Sequence, residues 1–298
     1  MPAPIITSIT RVGVVAKHHL QPAVKVLVAL AAWLDERGIK VVYDVDTAQL
    51  ADSQKSHRIA TREELPKLVD LIVVLGGDGT LLSMAGRIAE ANRDIPILGV
   101  NFGSLGFLTE IRVDELYLSL ESVLAGTASF DERLMLKAEA HRTNMQVETR
   151  IVLNDVVFTK AAVSRIINLS VSVSDAFVTQ VKADGLIVAS PTGSTAYNLA
   201  AGGPIVHPVV DALVLTPIAP HTLTNRPIVI PSSEIVDVRP HLDGNDEVFV
   251  TYDGQSGYPI QGGDFIRISS ANRTLSLVQA PARGFFEVLR EKLNWGKH

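Results

Sequence analysis

Residues 70–84, DLIVVLGGDGTLLSM, set the reading of the whole chain. Leu71 to Leu75 is a continuous run of leucine and β-branched residues, the pattern of a strand buried on both faces of a parallel sheet. Leu81, Leu82, Ala85 and Ile88 fall on one face of a helix. Between the two lies Gly76-Gly77-Asp78-Gly79-Thr80. Glycines at a strand-to-helix junction let a ligand approach the backbone, and the first N–H groups of the helix attract anions, so the turn is a candidate phosphate cradle. Asp78 does not suit a bare cradle. A carboxylate there repels phosphates unless it holds a metal, accepts a hydroxyl hydrogen bond or removes a proton. The competing reading is that Asp78 or Thr80 simply caps the helix. A P-loop, GxxxxGK[ST], is excluded, because the only Gly-Lys pair is Gly296-Lys297.

Working outward, Arg11 to Ala16 reads as a strand, Pro22 opens a helix whose buried face is Val24, Leu27, Ala31 and Leu34, Gly38 stops it, and Lys40 to Tyr43 is a second strand. Asp44 to Arg62 is polar and aperiodic, as in a surface loop or lid. Beyond the central helix, a strand over Ile95 to Val100 ends in a second glycine-rich segment, Asn101-Phe102-Gly103-Ser104-Leu105-Gly106-Phe107-Leu108. Ligand crevices of open α/β sheets lie at the carboxyl ends of strands, so both turns are expected to face one cleft. Their spacing is not GxGxxG, which weakens a nicotinamide dehydrogenase. Val113 to Leu124 is the last helix before the sequence changes character.

From Leu136 the chain is strand-like: Leu136 to Arg142, Gln146 to Leu153, Asp155 to Thr159, Asn168 to Val173, Gly185 to Ser190, Ile228 to Pro231, Glu234 to Pro240, Glu247 to Tyr252 and Phe265 to Ser269, with turn signals at Asp243-Gly244-Asn245, Asp253-Gly254 and Gly262-Gly263. The expected organisation is an α/β domain over 1–130, a mostly antiparallel β domain over 131–277, and a tail, 278–298, whose helix at Gly284 to Leu293 packs back on the first domain.

With 298 residues, 47% of them hydrophobic and 20% charged, the chain can bury a full core. A net charge of −5 and the lack of any Lys/Arg cluster disfavour a nucleic-acid partner. There is no cysteine, so disulfides, thiolate catalysis and Cys-based metal sites are excluded. No charged-then-apolar leader and no spanning-length apolar run is present, which points to a cytoplasmic protein without a membrane partner.

In the second domain, Ser190 to Gly203 (SPTGSTAYNLAAGG) follows a strand and is rich in hydroxyls and glycine. It reads either as a ligand loop opening a short helix, with Ser194 or Thr195 near the N-cap and Tyr197 offering a flat face to a base, or as a capped loop with Tyr197 as packing. Asn154-Asp155 is either a turn or a hydrogen-bonding pair for a sugar diol. Lys182-Ala183-Asp184-Gly185 offers a similar choice between a surface turn and a charged site edge. His207, His221 and His241 lack metal-ligand spacing, and His221 reads as a satisfied, partly buried histidine.

Taken together, GGDGT at 76–80, NFGSLGFL at 101–108, Asn154-Asp155, DGLIVASPTGSTAYNLAAGGPIV at 184–206 and TPIAPHTLTNRPIV at 216–229 resemble the bacterial NAD kinase family, in that family's order and over nearly the whole chain. GGDGT alone is shared with diacylglycerol, sphingosine and phosphofructokinase relatives, and the block from Asp184 to Val206 separates NAD kinase from them. The resemblance implies an N-terminal Rossmann-like α/β domain of the GGDGT kinase type, a C-terminal β-sandwich, and a site between them in a homo-oligomer, a dimer or tetramer. It implies transfer of a phosphoryl group from ATP to the 2′-hydroxyl of the adenosine ribose of NAD, with a divalent cation, usually magnesium, to give NADP. Carried over by motif, Asp78 is the base and Gly79 lines the pyrophosphate region. Asn154 and Asp155 hold the adenosine ribose, and Thr195, Ala196, Tyr197, Asn198, Leu199 and Ala200 contact the dinucleotide. Arg165, Lys182, Asp184, Ala219 and Gln255 are further contacts by the same resemblance. The family often has Asn-Glu where this chain has Asn154-Asp155. Two rivals are a lipid kinase, opposed by the lack of a basic amphipathic helix rich in Trp or Phe, and a non-catalytic NAD(P) sensor, which has no use for a carboxylate beside phosphates.

Overall fold

The computed structural model describes residues 9–51, 57–142, 145–160, 166–222, 224–242, 247–281 and 283–296. They form two compact units, one comprising Met1–Glu132 with Leu275–His298, the other Arg133–Thr274.

In chain order the first unit holds β1 (Arg11–Ala16), α1 (Ala23–Asp35), β2 (Lys40–Asp44), α2 (Val45–Leu50), β3 (Arg58–Ala60), α3 (Leu65–Leu68), β4 (Leu71–Leu75), α4 (Asp78–Glu90), β5 (Ile97–Asn101), β6 (Ile111–Arg112) and α5 (Leu116–Leu124). The strands are all parallel, in the order β6-β5-β4-β1-β2-β3. Every residue of β4 is buried, as a central parallel strand covered on both faces requires. The strand order reverses between β1 and β4, so the turn after β4 sits at the switch point where open α/β sheets bind ligands. The stretch read as a loop over Asp44 to Arg62 contains α2 and β3. Asp44 caps α2 by accepting the Thr47 N–H at 3.0 Å and its other oxygen accepts from Arg62 Nε at 2.7 Å. β3 has only three residues, too few to show any periodicity.

The second unit is built from β7 (Phe130–His141, which enters it at Arg133), β8 (Glu148–Val152), β9 (Asp155–Lys160), β10 (Ile167–Val173), β11 (Ala176–Ala183), β12 (Gly185–Ala189), the short helix α6 (Tyr197–Ala200), β13 (Ala212–Ile218), β14 (Ile228–Pro231), β15 (Val236–His241), β16 (Val248–Tyr252), β17 (Ser256–Ile260) and β18 (Phe265–Val278). One antiparallel sheet runs β14-β13-β12-β9-β16-β17, and a second carries β11-β10-β15-β18 with β7 and β8. Leu169, Val171, Val238 and Ile266 of one sheet share a core with Phe158, Leu186, Val188, Leu215 and Val250 of the other, which makes the unit a β-sandwich. β11, β13 and β17 are strands the sequence reading did not assign. β13 is apolar apart from Thr216 and contains Pro217, and it tolerates that proline because β14 pairs only with Ala212 to Leu215, leaving no strand partner on that side among the described residues. Pro259 in β17 is tolerated for a related reason, since β17 is an edge strand. β18 continues beyond Thr274 into the first unit, where Leu277 pairs in parallel with Ile97, and α7 (Phe285–Leu293) follows there.

Candidate functional site

α4 begins at Asp78, with Gly77 as N-cap and no side-chain cap bond. The carboxylate therefore does not cap its own helix but reaches the second glycine-rich segment. Oδ2 accepts the Phe107 N–H at 2.8 Å, and Oδ1 accepts from Leu108 N at 3.1 Å, Thr109 N at 3.0 Å and Thr109 Oγ1 at 2.9 Å. Thr109, which the sequence reading passed over, also accepts from Asn101 Nδ2 at 3.0 Å, while Asn101 Oδ1 accepts the Gly103 N–H at 2.6 Å. A Cβ at Gly106 would land on Asp78 Oδ1. At Gly77 and Gly79 it would meet nothing within 4 Å, so the backbone there is open to a ligand. The two glycine-rich turns thus form one structure, in which the second clasps the acid of the first.

Within the second unit, Ala189 of β12 lies opposite Asp155 of β9, and Tyr252 of β16 lies opposite Val156, so Asn154-Asp155, the loop from Ser190 and the turn at Asp253-Gly254 share one end of the sheet. Most hydroxyls of the Ser190 loop serve the loop itself. Ser190 Oγ donates to Leu153 O, Ser194 Oγ donates to Pro191 O at 2.6 Å, and Thr195 Oγ1 donates to Thr192 O at 3.2 Å. The N-cap of α6 is Ala196, so neither Ser194 nor Thr195 caps the helix. Asn198 is fully buried: its amide nitrogen donates to Ser194 O and Pro204 O, both at 3.0 Å, and its Oδ1 accepts from Thr216 Oγ1 at 2.6 Å. Its side chain braces the loop. Tyr197 is 45% exposed, and Ala200 is exposed beside it.

Asp155 is buried and raised to about 7, first by desolvation and then by the negative charge of Asp253. Asp253 is itself raised by burial, against three backbone N–H groups that favour its charge. An ordinary aspartate titrates near 3.9, so between about pH 4 and about pH 7 the folded protein holds more protons here than the unfolded chain, and stability falls as pH rises through that window. Urea unfolding followed across it should show this decline, and Asp155→Asn, which cannot ionise, should make the slope shallower.

Lys182, Asp184 and Ala219 lie elsewhere. Gly185 pairs with Thr159 and Ile218, at the opposite end of β9 and β12 from Asp155 and Ala189. With about 3.4 Å per residue the two groups are roughly 14 Å apart along the strands. Asp184 Oδ1 pairs with Lys160 Nζ at 2.6 Å, and the Lys182 carbonyl accepts the His221 N–H at 2.9 Å. Ala219 adopts φ +46°, a left-handed conformation uncommon for a residue with a Cβ. His221 is exposed rather than partly buried, because it follows β13 out of the sheet. Arg165 lies outside the described residues. Gln255 is exposed in the turn beside Asp253. Among the described residues no group of three His, Asp or Glu is placed to hold a metal ion, and no helix is long and apolar enough to cross a membrane.

Residues 12–128 match the model of the ATP-NAD kinase N-terminal domain, and residues 153–280 that of the C-terminal domain. The chain is 48% identical over 288 residues to the NAD kinase of Syntrophotalea carbinolica, covering 96% of this chain and 99% of that one. It is 47% identical over 288 residues to the NAD kinase of Geobacter sulfurreducens, with the same coverage. In fold it resembles a yeast NADH kinase complexed with NADH, with a TM-score of 0.89 at 24% identity over 98% of this chain and 89% of that one. It also resembles an NAD kinase from Archaeoglobus fulgidus in complex with ATP, with a TM-score of 0.74 at 23% identity over 96% of this chain and 100% of that one. Matched over both domains and nearly end to end, the chain belongs to the NAD kinase family.

Proposed function

We propose that the chain transfers a phosphoryl group from ATP, or from another phosphoryl donor, to the 2′-hydroxyl of the adenosine ribose of NAD, with Asp78 as the general base. The observation that carries this reading is the seat of Asp78. Its carboxylate is fixed by four hydrogen bonds at the start of a helix, yet among the described residues three fall on Oδ1 and one on Oδ2. A carboxylate oxygen has two lone pairs, so Oδ2 keeps one with which to take a proton. Phosphoryl transfer demands mainly positioning and charge stabilisation, and the open glycine backbone with the helix N-terminus meets the phosphates. Gly79 is assigned to the pyrophosphate region. Asn154 and Asp155 are assigned to the ribose, with the exposed ring of Tyr197 against a base and Thr195, Ala196, Leu199 and Ala200 beside it. Asn198 enters this reading as the brace of that loop.

A divalent cation, magnesium by preference, would neutralise charge on the transferred phosphoryl group. Magnesium is commonly held by one or two carboxylates together with substrate phosphates rather than by a dedicated cage of protein ligands. Lys182, Asp184, Ala219 and Gln255 are proposed as further contacts. A homo-oligomer, a dimer or tetramer, is part of the same proposal, with the Asp184 end serving a neighbouring copy. The working compartment is taken to be the cytoplasm. The decisive test is incubation with NAD, ATP and Mg²⁺, with the product scored by a dehydrogenase specific for NADP. NADP should form, and none from folded protein with ATP or polyphosphate would overturn the reading.

A further inference from the structure

We infer that Asp253 is a positioning residue that fixes the Asn154-Asp155 corner for NAD, an inference that rests on the proposed ribose-binding role of that corner. Asp253 and Gly254 have φ +52° and +63°, and the Gln255 N–H closes on the Tyr252 carbonyl at 3.0 Å, a tight turn joining β16 to β17. Such a turn needs residues tolerant of positive φ, and glycine or asparagine meets that need as well as aspartate. The carboxylate has a second use. Oδ2 accepts the Leu153 N–H at 2.9 Å, and Oδ1 accepts the N–H groups of Asn154 at 2.7 Å and Asp155 at 3.1 Å. In return the Asp253 N–H donates to the Asp155 carbonyl at 3.0 Å.

Three consecutive backbone N–H groups converging on one carboxylate leave residues 153 to 155 no freedom to pivot, so the directions in which the side chains of Asn154 and Asp155 leave the backbone are set by a residue about a hundred positions away. The arrangement also places a second carboxylate beside the buried Asp155, which like-charge repulsion opposes. A residue serving the turn alone would carry no such liability. The Asn154 carbonyl in turn accepts the Ser190 N–H at 2.8 Å, and a Cβ at Gly193 would collide with it, so the corner held by Asp253 is also the support of the Ser190 loop.

The test compares Asp253→Gly, which suits the turn but removes the carboxylate, with Asp253→Asn, which keeps Oδ1 and loses the bond to Leu153. NAD affinity is measured by calorimetry without a phosphoryl donor, alongside KM and kcat. Asp253→Gly should weaken NAD binding and raise KM for NAD by about tenfold or more, with a far smaller change in kcat, because the Asn154-Asp155 corner loses the three bonds that orient it. Asp253→Asn should fall between it and the wild type. If Asp253→Gly, folded by its melting curve, binds NAD as the wild type does while Asp155→Ala does not, Asp253 serves the turn alone and the inference fails. If Asp155→Ala also binds NAD normally, the ribose-corner reading fails and the inference with it.

Discussion

Asp78→Asn is expected to lower kcat for NADP formation by about 10² to 10⁴-fold, the usual contribution of a general base. The amide has the shape of the carboxylate but no basic lone pair for the ribose proton. It also turns one oxygen into an N–H donor, which must face either the Phe107 N–H or the donors of Leu108 and Thr109. The clasp should therefore loosen by about 1 to 3 kcal/mol, visible as a fall of a few degrees in Tm. The two effects separate by measurement, because a melting curve reads the clasp and kcat reads the chemistry. A variant that melts lower yet keeps near-normal kcat would reduce Asp78 to the anchor of its loop.

Gly106→Ala is the second large effect. The new Cβ would overlap Asp78 Oδ1, with Thr109 Oγ1 and Asp78 Cγ also in its way, and the carboxylate cannot swing aside without breaking the four bonds that hold it. Displacing a reacting group by about 1 Å costs on the order of 10²-fold, so kcat should fall at least that far. Gly86→Ala is the control. Gly86 lies in the same helix that starts at Asp78, a Cβ there meets nothing within 4 Å, and alanine is favoured over glycine in helices by about 1 kcal/mol, so this variant should retain activity and melt no lower than the wild type. Normal kcat in Gly106→Ala would show that Asp78 need not occupy its present position.

The pattern of Leu71 to Leu75 and of the helix face after it was legible because a buried parallel strand and an amphipathic helix each impose a local period on the residues that form them. β13 escaped notice because Pro217 argues against a central strand, and only the place where β14 stops makes that proline harmless. β3 and α2 were hidden for a different reason: one is three residues long, and the other is held by a cap whose second partner is Arg62, well along the chain.

By itself, the sequence determined the order of an α/β and a β unit, the glycine turn with its acid, and the motif set that names the family, since all of these reside in neighbouring residues whose types answer to backbone geometry. Tertiary structure alone decided what the acid and the polar residues do. It turned Asp78 from a possible cap into a clasped carboxylate, drew Asn198 inward as a brace, divided the proposed contacts between two ends of one sheet, and brought Asp253 onto Asn154 and Asp155. Each of these is a hydrogen bond or a strand register between residues distant in the chain. Such pairings leave no local period, and they exist only once the sheets have set the partners side by side.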